Sequence, residues 1–218
     1  MNTSNWMTPR CGLARAAVVL AALIASYVLA PHLPDSTGWE NGPVENAQAV
    51  LLFIGGVLAL YWRGRASDPR TRAFWLIVAP IWFVLCAREL SWGAVFMTPL
   101  TFSPDMGPTF SSTHQLSYKA WVTPVIGALL LAIIGLFVAT RQTRTLARIW
   151  HARAFPFLEI GLFVIAMLLS ATAEGHGLFA LGGMSHPALQ TLEELAELVG
   201  YFCLVLAQWR VAIALRGG

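Results

Sequence analysis

Six apolar stretches, separated by short polar segments, set the pattern of this chain. They cover residues 12–31, 44–62, 73–97, 119–140, 155–178 and 187–214. A helix needs about 20 mostly apolar residues to cross the hydrocarbon core of a bilayer, and each stretch is close to that length. The pattern predicts an all-α fold: a polytopic membrane protein with a six-helix transmembrane bundle, forming one integral membrane domain over residues 1–218.

Proline and glycine mark where these helices begin and where they pack closely. Pro43 and Pro187 stand at the start of the second and sixth stretches, where the first helical turn tolerates proline. Pro80 interrupts the third stretch and predicts a kink there. Gly55 and Gly56 in the second stretch predict a close approach by another helix.

The composition supports a membrane location. Hydrophobic residues make up 57% of the chain and charged residues 11%, whereas soluble domains carry roughly 25% charged residues. Cys11, Cys86 and Cys203 are widely separated and form no C-x-x-C spacing. Neither a disulfide framework nor a thiolate metal site is therefore expected.

Basic residues alternate between the two sides of the predicted membrane. One set lies before or at the start of the first stretch, in the second and fourth connections and towards the end of the chain: Arg10, Arg15, Arg63, Arg65, Arg70, Arg72, Arg141, Arg144, Arg148, Arg153, Arg210 and Arg216. Segments rich in arginine and lysine stay in the cytoplasm, so both termini are predicted to be cytoplasmic. Only Arg88 and Lys119 fall on the outer side. The expected location is the cell's inner (plasma) membrane.

Acidic residues show the opposite distribution. Those assigned to the outer half are Asp35, Glu40, Glu45, Glu89, Asp105, Glu174, Glu193, Glu194 and Glu197. The orientation rule does not require this surplus, because acidic residues contribute little to topology. It favours cationic partners at the outer face and, despite the net charge of +3, argues against nucleic acid.

The first stretch has a second interpretation, as a secretory signal. Arg10 and Arg15 precede an apolar core, and Val28-Leu29-Ala30 offers a cleavage site. The apolar run is long for a signal. Cleavage would leave five spans and the same outer face.

Arg88 and Glu89 place charge inside the third stretch, about 12–14 Å along a helix that would end at Met97. Charge within a span faces the bundle interior or a water-filled cavity and finds a partner. Adjacent helix residues point about 100° apart, so each of the two needs its own partner. Either they pack helices together, or they line an outward-open cavity. Trp92, four residues after Arg88, is placed to stack on its guanidinium.

The sixth stretch begins with an acidic face. Gln190, Glu193, Glu194 and Glu197 follow the i, i+3 and i, i+4 spacing of one helix surface. Acids in a first turn often only complement the helix N-terminus, which suits Glu193 and Glu194. Glu197 lies about 15 Å from Pro187 along the helix, so it is the strongest functional candidate of the four.

Other polar residues are expected near these acids on the outer side. Glu45 and Gln48 share a face at the start of the second helix and either point into the same cavity or only cap the helix. His114 and His176, with Glu89 and Glu197, are candidate ligands for a divalent metal such as zinc; in the alternative, each histidine only hydrogen-bonds to water or to the backbone. No H-x-x-x-H or H-E-x-x-H spacing accompanies them.

The run Arg88-Glu89-Leu90-Ser91-Trp92-Gly93 resembles a motif of uncharacterised bacterial multi-pass membrane proteins, roughly Glu-Glu-Ile-Ser-Trp-Gly. In that family a polar loop with a histidine follows, and His114 stands in the corresponding place. Arg88 replaces the usual acid, and the loop lacks the family's Asn-rich run. The resemblance covers roughly a third of the chain and implies no known activity.

Three functions are compatible with these residues. The first is a metal-assisted hydrolase or transferase acting on lipid or lipid-linked substrates, with Glu89 and Glu197 as ligand or general base. In it His114 serves as ligand or acid, and Arg88 clamps an anionic head group. The binding residues would be Glu45, Gln48, Trp92 and Glu194. The second is a small transporter or cation-binding protein, although no inverted repeat and few inner polar residues are visible. The third is an accessory subunit without catalysis.

Overall fold

A computed structural model describes residues 9–176 and 181–216, and it confirms the all-α prediction. The helices are α1 (Pro9–Leu29), α2 (Pro43–Arg65), α3 (Pro69–Glu89), α4 (Ser112–Gln115), α5 (Lys119–Ala139), α6 (Thr143–His151), α7 (Phe157–Ala173) and α8 (His186–Arg216). Short 3-10 helices cover Ala30–His32, Asp35–Thr37 and Ser91–Phe96. Two short strands, β1 (Thr101–Ser103) and β2 (Gly107–Thr109), pair antiparallel in one hairpin.

Five of the described helices are long and apolar enough to cross a membrane, which indicates a multi-pass membrane protein. These candidate spans are Cys11–His32, Pro43–Arg65, Pro69–Glu89, Lys119–Ala139 and His186–Arg216. The remaining predicted span, 155–178, is represented by α7, an apolar helix of 17 residues. Helix α3 continues through Pro80.

The third helix ends eight residues earlier than the sequence predicts. It stops at Glu89, and Ser91, Trp92 and Gly93 follow with φ of 45°, 59° and 102°. Three successive residues with positive φ cannot continue a right-handed helix. The prediction of one helix over 73–97 is therefore wrong, and Arg88 and Glu89 occupy its last turn instead of its interior.

The chain divides into two compact units, and the prediction of a single domain stays a prediction. Unit 1 comprises residues 1–48, 99–109 and 156–210, and unit 2 comprises 49–98, 110–155 and 211–218.

Unit 1 has its apolar core between α1, α7 and the first part of α8. The buried members of that core are Val19, Leu23, Leu162, Ala166, Ala196 and Cys203. At one end of these helices, Ala30, Ala173 and Leu192 pack together. The first stretch thus packs as a core helix of this unit.

Unit 2 is organised around the packing of α3 against α2. The rings of Trp82 and Phe83 lie so close to Gly55 and Gly56 that an added Cβ would come within 2.5 Å and 2.7 Å of ring carbons. This confirms the predicted close approach at the glycine pair. Helix α6, which the hydropathy pattern did not show, is anchored by Gln142, whose buried side-chain amide donates to the Arg70 carbonyl at 3.0 Å.

Candidate functional site

One end of unit 1 collects most of its carboxylates. We call residues 31–48, 99–109, 174–176 and 181–197 the acidic end, because they contain eight acids and no lysine or arginine: Asp35, Glu40, Glu45, Asp105, Glu174, Glu193, Glu194 and Glu197. The segments are joined by packing at Leu192, by Gly38 against Thr191, and by Trp39 against Phe102. The acidic end therefore carries a strongly negative local charge.

Gln48 is the buried polar centre of the acidic end. Its side chain is fully buried in the first turns of α2, and its Nε2 donates to the Glu194 carbonyl at 2.7 Å and to Glu194 Oε2 at 2.9 Å. The amide oxygen Oε1 is also buried, and it accepts no hydrogen bond from any residue that the structure describes. The structure thus brings together Gln48 and Glu194, both predicted as binding residues.

Two more amide and carboxylate groups lie along the same part of α8. Gln190, one turn before Glu194, likewise buries an Oε1 that accepts no hydrogen bond within residues 9–176 and 181–216. Glu197, one turn after Glu193, accepts a hydrogen bond from the buried hydroxyl of Ser170 on α7 at 3.0 Å. Oxygen atoms of amides and carboxylates thus follow one another along this helix.

Glu45 acts at the start of α2. The Asn41 backbone N–H donates to Glu45 Oε2, and Asn46 Nδ2 donates to the Gly42 carbonyl at 2.8 Å. These bonds satisfy polar groups at the helix start, as a capping role requires. Glu45 is nevertheless buried, with 8% of its surface exposed, so its charge adds to that around Gln48.

His176 lies in an exposed position beside Glu174. Its Nδ1 is 3.2 Å from Glu174 Oε2, and the side chains are 74% and 52% exposed. Among the described residues, no group of three or more His, Cys, Asp or Glu side chains is placed to hold a metal ion. The zinc-type site of Glu89, Glu197, His114 and His176 stays a prediction.

The predicted residues of unit 2 surround the break after α3. Arg88 is exposed and makes no ion pair with a described carboxylate, whereas Glu89 is buried. Trp92 does not stack on Arg88, because the helix has ended. Instead Lys119 Nζ lies 5.4 Å from the Trp92 ring centroid, and the Tyr118 hydroxyl donates to the Trp92 carbonyl at 2.6 Å.

A positive φ at a residue as bulky as tryptophan is costly, of order 1–3 kcal/mol, so these two contacts help to hold the turn in place. His114 lies on the four-residue helix α4 with an exposed side chain. The run Arg88-Glu89-Leu90-Ser91-Trp92-Gly93, on which the family resemblance rests, forms the last turn of α3 and a sharp turn after it.

A second polar cluster, which the sequence reasoning missed, lies at the opposite end of the unit 1 helices. Glu159 is 1% exposed, and its Oε1 is 3.2 Å from Arg15 and 3.4 Å from Arg210. The signal was present, because all three charges lie inside predicted spans and charge within a span needs a partner. Gln208 on α8 is buried as well, so this end of the unit 1 helices also holds buried polar side chains.

Unit 1 thus has carboxylate and amide oxygens at one end and the Arg15–Glu159–Arg210 ion pairs at the other. Carboxylate and amide oxygens are the ligands that hard cations such as Na⁺, Mg²⁺ and Ca²⁺ prefer. Comparison of the chain with known protein families, with curated proteins and with solved structures finds no match.

Proposed function

We propose that this chain is a six-span membrane protein that binds an inorganic cation at the acidic end of unit 1. In the proposed topology both termini are cytoplasmic and the acidic end faces away from the cytoplasm. The distribution of arginines supports this orientation, because the connections between α2 and α3 and between α5 and α7 are rich in arginine. The short α7 is the sixth span.

The observation that carries the proposal is the buried oxygen of Gln48. A buried acceptor that forms no hydrogen bond costs about 1–3 kcal/mol. Its amide is fixed by two bonds to Glu194, so the oxygen cannot rotate away without breaking them. A cation held by this oxygen and by the nearby carboxylates would remove the cost and reduce repulsion among the acids. Gln190 Oε1 supplies a second such oxygen, on the same helix as Glu194.

The chemistry of the donors favours a hard cation. The candidate ligands are the Gln48 and Gln190 amides, the Glu194 and Glu197 carboxylates and the Ser170 hydroxyl that bonds to Glu197, all of which bind through oxygen. Transition metals such as zinc bind more often through nitrogen and sulfur. The buried Glu159 cluster adds polar groups at the opposite end of the same unit, which a transporter needs and an outer-face hydrolase does not. We therefore favour cation binding as part of cation transport.

Cation binding is expected to raise the midpoint of thermal unfolding of the purified protein in detergent. At about 100 times its dissociation constant a ligand contributes about 2.7 kcal/mol to stability. Na⁺, Mg²⁺ and Ca²⁺ would be titrated at constant ionic strength, with choline chloride as the filler. At least one of them should stabilise the wild type, and Gln48→Leu and Glu197→Gln should each weaken that binding about tenfold or more.

Asp105→Asn is the matched control for Glu197→Gln, because it also removes one negative charge, but from an exposed position of the acidic end. It should leave the affinity nearly unchanged. Equal losses in Glu197→Gln and Asp105→Asn would indicate a diffuse electrostatic effect, and no stabilisation of wild type by any of the three cations would refute the proposal. A Zn²⁺ titration with His176→Ala tests the alternative, because the metal-assisted hydrolase predicts tight zinc binding that this variant weakens.

A further inference from the structure

A cavity lined by arginines opens in unit 2, and none of its lining residues belongs to the candidate site described above. Its basic walls come from three helices, namely Arg65 at the end of α2, Arg148 on α6 and Arg216 at the end of α8. Two buried indoles also line it, those of Trp62 and Trp75, whose ring centroids are 4.9 Å apart. We call it the arginine cavity. Three arginines and two buried tryptophans thus line one cavity.

Among the described lining residues Asp68 is the one carboxylate, and its own helix engages it. Asp68 caps α3, accepting hydrogen bonds from the Thr71 N–H at 3.1 Å, the Thr71 hydroxyl at 2.9 Å and the Arg70 N–H at 3.3 Å. The Thr71 hydroxyl is the largest cause that lowers the pKa of Asp68 below its usual value. Asp68 therefore stays charged as a helix cap, and the lining keeps a positive balance.

The arginines keep donors available for a ligand. Among the described residues none of the three makes an ion pair with a carboxylate. Arg216 lies over the Trp62 ring at 5.7 Å, Arg65 lies over Tyr61 at 5.2 Å, and Arg148 donates one long bond of 3.4 Å to the Leu215 carbonyl. A guanidinium has five N–H donors in a planar fork, which matches the oxygens of a phosphate.

The size of the cavity restricts the ligand. Its volume is about 190 Å³, which is below the roughly 300–1,000 Å³ of sites for drug-sized molecules. A phosphate with a small substituent is the kind of anion that such a volume holds. A nucleotide or a folded peptide needs more room.

We propose that the arginine cavity binds the phosphate-bearing head group of an anionic lipid. It is formed where two apolar helices, α2 and α8, end in arginine, so a lipid phosphate at the membrane surface can enter while its chains stay in the bilayer. The cytoplasmic leaflet, which these arginines face in the proposed topology, is the one that displays anionic lipids to basic residues. Basic pockets between helices on this side are suited to such head groups.

Native mass spectrometry of the detergent-purified full chain tests the proposal. Phosphatidylglycerol is titrated against the protein, with phosphatidylcholine and glycerol 3-phosphate as separate arms. Wild type should retain one phosphatidylglycerol with an affinity at least about tenfold above that for phosphatidylcholine. Arg65→Gln and Arg148→Gln should each lower the affinity for phosphatidylglycerol about tenfold or more, as loss of a charged hydrogen bond predicts.

Arg63→Gln is the matched control, because it removes the same charge from the same last turn of α2 at a position outside the lining. Arg65→Lys keeps the charge and loses the fork, so it should fall between wild type and Arg65→Gln. Equal affinities for glycerol 3-phosphate and phosphatidylglycerol would support a phosphate site whose ligand is a soluble phosphate ester and not a lipid. Equal losses in the Arg63 and Arg65 variants, or binding that does not depend on anionic phosphate, would overturn the site.

Discussion

Glu159→Ala is expected to destabilise the protein by about 3–5 kcal/mol, as removal of one partner of a buried ion pair does. The change leaves the guanidinium groups of Arg15 and Arg210 without the carboxylate that both contact, in a unit where their side chains are only 12% and 15% exposed. Thermal unfolding in detergent, followed by the loss of monodisperse protein, should show a midpoint lower by on the order of 10 °C.

A double-mutant cycle separates the ion pairs from simple loss of volume. Arg15→Met, Glu159→Met and the double variant give a coupling energy, and an apolar pair of similar size can be neutral or even stabilising in place of a buried pair. The double variant should therefore be more stable than Glu159→Met alone. If the two single effects simply add, Arg15 and Glu159 do not stabilise the fold through their contact.

The hydropathy pattern predicts the helices well and their ends less well. Residues 90–97 are about as apolar as a helix that spans the bilayer, so nothing in their hydropathy indicates that α3 stops at Glu89. The break is a property of the backbone, with positive φ at Ser91 and Trp92 as well as at Gly93. In a sequence, glycine is the main indicator of a positive φ. The single residue Gly93 is too weak a signal to end a predicted helix.

The sequence predicts the parts of the candidate site that depend only on which residues share a helix face. Glu45 and Gln48 lie on the buried part of α2, and Gln48 meets Glu194 from a position 146 residues away in sequence. Spacing identifies such a face but not the partner, because the partner depends on packing between distant helices. Sequence reasoning also misses the partners of Glu159, because Arg15 and Arg210 serve there only as indicators of membrane orientation.

Close packing of the 31–42 segment on α8 connects the fold to the proposed cation site. Gly38 is buried, and a Cβ added to it would lie 2.6 Å from both the Cα and the backbone nitrogen of Thr191. Because backbone atoms of a helix cannot move aside cheaply, the segment itself would have to shift. That segment leads directly into the start of α2, and Gln48 is fixed there by its bonds to Glu194.

Gly38→Ala is therefore expected to cost about 1–3 kcal/mol, the usual range for overpacking, and to weaken cation binding together with stability. Gly64→Ala is the matched control, because nothing lies within 4 Å of a Cβ at Gly64, and alanine in a helix should be neutral or slightly stabilising. Both variants would be compared by thermal unfolding with and without the stabilising cation. Lower stability with unchanged cation affinity would show that the Gly38 contact stabilises the fold but does not affect the cation site. A loss of both would show that the position of Gln48 depends on the packing of this segment against Thr191.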